Sequence, residues 1–216
     1  MQEIARRLDV TATEAFRQLQ RLSDAMLVQR QPEGTFAITE YGQLVLQLSS
    51  SIEFVFKHKN YFSTHNVWRL PYQFVNRIGE LSQMHLIMDV MESINKGAQM
   101  FIEAEQYAWG LAEHGRGPEL MSPVMSERIR KGVGFRMLIQ ESFLPTAISP
   151  AKPQNYEVRG LPDVPAIMAV TEKEAAVCFR LVDGRMDYAG FFGNDSTSLN
   201  WVKDLFLYYW EKGKRA

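Results

Sequence analysis

IARRLDVTATEAFRQLQRLSD, residues 4–24, decides how the N-terminal part of the chain is read. Ile4, Ala5 and Leu8 recur at helical spacing, Asp9-Val10-Thr11 interrupts them, and Ala15, Leu19 and Leu22 recur again. That pattern predicts two short amphipathic helices joined by a tight turn, the second ending near Ser23. Thr11 and Glu14 have the Thr-x-x-Glu spacing of a capping box, so Thr11 is expected to start the second helix. Downstream, Val28–Gln31 and Thr35–Ile38 can pair across Pro32-Glu33-Gly34, with Gly34 supplying the permissive backbone. Thr39 is expected to cap a longer helix over residues 40–62, with Leu44, Val45, Leu48, Ile52, Val55 and Phe56 as its apolar stripe.

Helix, turn, helix and hairpin in that order are the sequence form of a winged helix-turn-helix. The outward positions of the second helix are polar: Thr13, Glu14, Arg17, Gln18 and Arg21, with Thr11 at its start. Such side chains can read base edges or hold phosphates, and Arg30 and Thr35 sit where a wing would touch the backbone. A solvated helix face is the plain alternative. The pattern Ile-Ala-x-x-Leu-x-Val, then Leu-x-x-Leu, then Leu-Val and a hairpin closing on Thr39 to Gly42 resembles winged-helix transcription regulators of the ArsR and MarR type over about the first 45 residues. The resemblance implies double-stranded DNA as partner. It also implies a homodimer through the helix after the wing, since a two-fold operator needs two recognition helices. Those domains place another helix before the turn motif. The reading frame is therefore expected to begin upstream, or another segment to cover Ile4, Ala5 and Leu8.

Composition bounds the rest. The 216 residues are 46% hydrophobic and 23% charged, so an ordinary folded chain of one or two domains is expected. No apolar run reaches the ~18 residues of a membrane helix, and Arg6, Arg7 and Asp9 break any leader-like stretch, which points to the cytoplasm without a membrane partner. Cys178 is the only cysteine, which excludes an internal disulfide and a paired-cysteine zinc site. The net charge of −1 does not announce a nucleic-acid binder.

From residue 63 the pattern becomes mixed. Residues 63–83 hold an aromatic-rich hinge and a connecting helix from Pro71 to about Ser82. Residues 84–216 alternate helices (89–105, 118–131, and from Ser196) with strands around Tyr107–Leu111, Val133–Ile139, Tyr156–Arg159, Ala166–Val170 and Ala175–Val182. Asp183-Gly184 predicts a hairpin turn with Met186–Phe192 as the return strand, and residues 144–154 read as loop. The expected fold class is α+β or α/β: an N-terminal winged helix-turn-helix unit over residues 1–62, followed by a layered α/β effector domain.

Ile102-Glu103-Ala104 before the Tyr107 strand, and Arg130-Lys131-Gly132-Val133 leading into Phe135-Arg136-Met137-Leu138, resemble one half of a phospholipase D-like domain. The effector domains of archaeal sugar-responsive regulators of the TrmB type share that resemblance. So does the archaeal regulator family that joins a winged helix to a methanogenesis-regulatory effector domain. With it go Leu70-Pro71, Val164-Pro165, Val170-Thr171-Glu172 and Trp201 with Tyr208-Tyr209-Trp210. Phospholipase chemistry needs His-x-Lys-x(4)-Asp, and no histidine here is followed by lysine two positions on, so the resemblance implies the fold without that activity. No catalytic residue, metal ligand or cofactor is assigned. Trp109, Arg136, Gln140 and Arg159 are the candidates for holding a small effector, with an arginine suited to a carboxylate. The first expectation is a ligand-sensing, DNA-binding transcription regulator. A winged-helix interaction module without DNA binding is the second, and a phosphodiesterase-like enzyme the third.

Overall fold

The computed structural model describes residues 2–114, 123–147 and 154–215. The chain divides into two compact units, Met1–Glu53 and Phe54–Ala216. The first contains α1 (Gln2–Arg7), α2 (Ala12–Asp24), the strands β1 (Val28–Arg30) and β2 (Phe36–Ile38), and most of α3 (Glu40–Lys57). Asp9 turns the chain between the helices with positive φ. The Thr11 hydroxyl accepts the Glu14 amide at 3.1 Å, which satisfies one of the free N–H groups at the start of α2. Glu14 does not reach back to complete the box: its carboxylate is bonded to Arg17 and Gln18 instead. Antiparallel pairing of Val28 with Ile38 and Arg30 with Phe36 forms the hairpin, and Gly34 supplies a φ of 82° at its tip.

Thr39 closes this unit. Its hydroxyl donates to the Met26 carbonyl at 2.6 Å and accepts the Gly42 amide at 2.9 Å, so one side chain ties the hairpin to the first turn of α3. Gly42 is needed there because a Cβ would lie 2.0 Å from the Leu27 carbonyl oxygen. This is the physical content of the Thr-x-x-Gly pattern.

The second unit opens with the last turn of α3 and α4 (Lys59–Phe62). The helix expected over residues 40–62 is therefore broken at His58, whose backbone leaves helical geometry (φ −107, ψ 30). Next come β3 (His65–Asn66), α5 (Tyr72–Asn76), a single 3₁₀ turn at Ile78–Leu81, β4 (His85–Ile87) and α6 (Val90–Glu103). The expected Pro71–Ser82 helix is thus two pieces joined at Arg77. After α6 the chain runs through β5 (Tyr107–Leu111), α7 (Pro123–Arg130), β6 (Gly134–Gln140) and, past a 3₁₀ turn, α8 (Leu144–Ala147). It then forms β7 (Tyr156–Leu161), β8 (Ala166–Thr171), β9 (Ala175–Leu181), β10 (Gly190–Gly193), α9 (Ser196–Lys212) and β11 (Lys214–Arg215). Part of the expected loop at 144–154 is the short helix α8; residues 148–153, and 115–122 of the expected 118–131 helix, lie outside the described residues.

Among the described residues these strands make one nine-stranded sheet in the order β11-β7-β6-β5-β8-β9-β10-β4, with β3 added beside β9. β5, β6 and β7 are parallel, and the other pairs are antiparallel. Against one face lies α9, started by Asp195, whose carboxylate accepts the amides of Thr197 and Ser198. Trp201, Leu205, Phe206 and Trp210 of α9 are buried with Leu138, Met168, Val177 and Phe191. Against the other face lies α6, started by Asp89 through the Glu92 amide.

The return strand expected at Met186–Phe192 forms only from Gly190. Phe191 pairs with Val177, so two positions further on the register would oppose Ala189 to Phe179. The Tyr61 hydroxyl stands in that place, accepting the Phe179 amide and donating to the Ala189 carbonyl, both at 3.0 Å. Beyond it, β3 takes the ladder positions of Leu181 and Arg180. Residues distant in sequence thus occupy the edge that the hairpin pattern assigns to its own return strand.

Candidate functional site

In the first unit Thr11, Thr13, Arg17, Gln18, Arg21, Arg30 and Thr35 are all exposed, and Glu14 is half-buried. The structure brings three of them into direct contact: Glu14 accepts from Arg17 and from Gln18, the latter at 2.7 Å. The Arg17 hydrogen bond, then that of Gln18, holds the Glu14 carboxyl below its ordinary range. The positive charge of Arg17 is therefore partly spoken for on its own helix. Arg7 is similarly paired with Glu3 at 2.7 Å. Thr35 lies away from α2, in a recess it lines with Glu3, Ile4 and Arg7 of α1. Beside the polar stripe, Phe16 and Leu22 of α2 are also exposed, as are Ile4 of α1 and Leu8 just after it, while Ala5 is buried.

In the second unit Trp109, Arg136 and Arg159 come together on the α9 face. The Arg136 guanidinium lies 5.1 Å from the Trp109 ring centre and 5.2 Å from that of Trp210. Arg159 lies 4.3 Å from the same Trp210 ring and donates to the Trp210 carbonyl at 2.7 Å. Lys203 stands over Tyr107 and Trp109 at 5.0 and 5.5 Å. Trp210 and Lys203, which α9 brings here, were not among the residues expected to hold an effector. Arg136 also faces Glu157 at 3.8 Å. It stands on the α9 face, opposite Phe135 and Met137, and that face too is apolar because both faces of the parallel strands are covered. Gln140 shares the alternation of β6 with Arg136, two repeats of the pleat further along.

A cavity of about 610 Å³ opens on the opposite face, between α6 and the sheet. Its floor is one lateral row of directly opposed residues: Met137 on β6, Gly110 on β5, Ala169 on β8, Ala176 on β9 and Phe192 on β10. The three central positions are the smallest side chains available, and Gly97-Ala98 of α6 faces them. A layer that would ordinarily be filled is left empty, within the size range of small-molecule sites. None of the four expected ligand residues lines this cavity. Alternation along single strands could not reveal it, because the row exists only after five strands have found their register.

The polar groups in the lining are mostly engaged. Ser93 and Cys178 both donate to the Tyr188 carbonyl, Cys178 at 3.2 Å. Burial pushes the Cys178 thiol up to about 12, so it is neutral. Burial likewise raises the Tyr188 phenol. No lysine, arginine, aspartate or glutamate is among the described residues that line the cavity. Among the described residues no cluster of three or more His, Cys, Asp or Glu side chains is placed to hold a metal ion. No described helix is long and apolar enough to cross a membrane.

No known family profile matches this sequence, and no curated protein does. The fold is similar to that of TrmBL2, an archaeal chromatin protein whose structure shows a novel mode of DNA binding: TM-score 0.50 at 16% identity, covering 96% of this chain and 84% of that one. Weaker likenesses are to Nuc, a phospholipase D family member from Salmonella typhimurium (TM-score 0.45, 11% identity, 57% of this chain and 90% of that one), and to NucT from Helicobacter pylori (0.44, 8%, 62% and 97%).

Proposed function

We propose that the chain is a DNA-binding transcription regulator of the archaeal type, in which the first unit is a winged helix-turn-helix and the second senses a small molecule. The observation that carries the reading is the face of α2. Thr13, Arg17, Gln18 and Arg21 all stand in water on a helix whose N-terminus is capped by Thr11, beside a hairpin bearing Arg30. That is the side-chain chemistry and the element order of a major-groove reader. The fold shared with the DNA-binding TrmBL2 supports it.

A homodimer through α3 belongs to the same proposal. Leu44, Leu48, Ile52 and Phe56 follow one another at four-residue steps and are 53%, 68%, 73% and 72% exposed. Four large apolar side chains in one helical stripe are the surface that pairs helices between chains. Ile52→Glu is expected to turn a dimer into a monomer in light scattering.

The experiment for the main reading is fluorescence anisotropy on labelled duplex DNA across a salt series, beside Arg17→Ala and Arg21→Ala. Affinity falling steeply with salt, with a shallower slope in each variant, supports it. Absence of binding at low salt favours a protein-docking module, a reading to which the exposed Phe16 and Leu22 on α2 would lend themselves.

A further inference from the structure

We infer that the cavity between α6 and the sheet is a binding site for an uncharged, largely apolar small molecule, and that this is the effector of the sensing reading just proposed. The empty layer is bounded below by the sheet, where Ala176 and Phe192 are buried, so it is a recess with a floor and not a flat patch. About 610 Å³ corresponds to roughly 20 waters at ~30 Å³ each. Water has little reason to stay, because the wall is apolar and two of its polar groups, Ser93 and Cys178, are already bonded to the Tyr188 carbonyl.

Charge decides the class. A carboxylate or ammonium buried here would find no opposite side chain among the described lining residues, and an unpaired buried charge is strongly disfavoured. The cations that could hold an anion, Arg136, Arg159 and Lys203, are on the other face of the sheet against the rings of α9. Tyr188 and His114 bring a phenol and an imidazole to the lining, enough to orient one hydrogen-bonding group of a neutral ligand. Gly97 shows that the space is real from the helix side: a Cβ there meets nothing within 4 Å.

The test uses two probes with the same rings. N-phenyl-1-naphthylamine is neutral; 8-anilinonaphthalene-1-sulfonate adds a fixed negative charge. The full chain is titrated with each, following the emission gain. The expected result is saturation at one neutral probe per chain, with the sulfonate at least about tenfold weaker. Gly97→Phe fills the cavity from the helix and Ala169→Leu from the sheet. Each is expected to weaken the neutral probe at least about tenfold while circular dichroism stays native. Should one variant fail to fold, the other carries the comparison. Neutral-probe affinity untouched by a folded filling variant, or equal affinity for the sulfonate, overturns the inference. DNA anisotropy with and without saturating neutral probe separates this site from the regulator reading. Probe binding that the filling variants abolish, with DNA affinity unmoved, supports the site and removes its coupling to DNA. Probe binding without any DNA binding supports the site and defeats the regulator reading alone.

Discussion

The Tyr61 hydroxyl donates to the carbonyl oxygen of Ala189, 128 positions along the chain, at 3.0 Å. The Tyr61 phenol oxygen in turn accepts the Phe179 amide, so one phenol replaces a rung of the β9–β10 ladder. Burial raises the phenol's pKa well above its ordinary value, which keeps it protonated and able to donate. Tyr61→Phe leaves a buried N–H and a buried carbonyl without this partner. The expected cost is about 2–3 kcal/mol, seen as a lower urea midpoint at unchanged slope.

Glu172 predicts a pH dependence. Its carboxylate accepts the amides of Glu105, Gln106 and Tyr107 at 2.8, 3.2 and 3.2 Å, closing the turn between α6 and β5. Burial pushes its pKa up, but the backbone donors, led by Glu105, outweigh burial and bring it below the ordinary value. A lowered folded pKa contributes stability that is complete above the unfolded value of about 4.3 and is lost as pH falls through the folded value. Glu172→Gln is therefore expected to lower stability at pH 7 by about 1 kcal/mol. The gap to the parent should start to narrow below about pH 4.3 and close as the pH falls through the lowered folded value. Urea melts at both pH values check this.

Cys178 should be silent in the native state. The thiol is buried, its pKa is pushed up to about 12, and it is the chain's single cysteine. A colorimetric thiol reagent at pH 8 is expected to read near zero on folded protein and one equivalent per chain in denaturant.

Glu14 should act as a brake on DNA affinity. It neutralises Arg17 and occupies Gln18 on the face proposed to meet DNA. Glu14→Gln removes a negative charge from that face and releases the arginine, so binding is expected to tighten several-fold at low salt and less at high salt. Weaker binding would mean that the Glu14 contacts hold Arg17 in its DNA-reading geometry.

How much of this was legible in the sequence follows from the range of the interactions. The Thr11 cap, the Gly34 turn and the Thr39–Gly42 start of α3 are contacts of a few residues, and spacing alone exposes them. The alternation of β6 and β9 likewise reports strands directly. The Tyr61 rung and the intrusion of β3 are set by partners more than 100 residues away, which periodicity cannot carry. The expected effector residues illustrate the same limit. Trp109, Arg136 and Arg159 do converge, but on the face that α9 fills; the empty face is floored by Gly110, Ala169 and Ala176, which look unremarkable one strand at a time.

The two ends of the large sheet have a consequence for keeping the protein dispersed. A wide sheet invites strand addition by a neighbouring molecule wherever its border offers a long row of free amides and carbonyls. Here the described borders are β11, two residues long with lysine and arginine side chains in water, and β4, three residues long. The seven-residue strands β6 and β9 are interior. β11 pairs with Arg159 and Gly160 of β7, so deleting Lys214 and Arg215 would free those backbone groups and is expected to invite aggregation on storage.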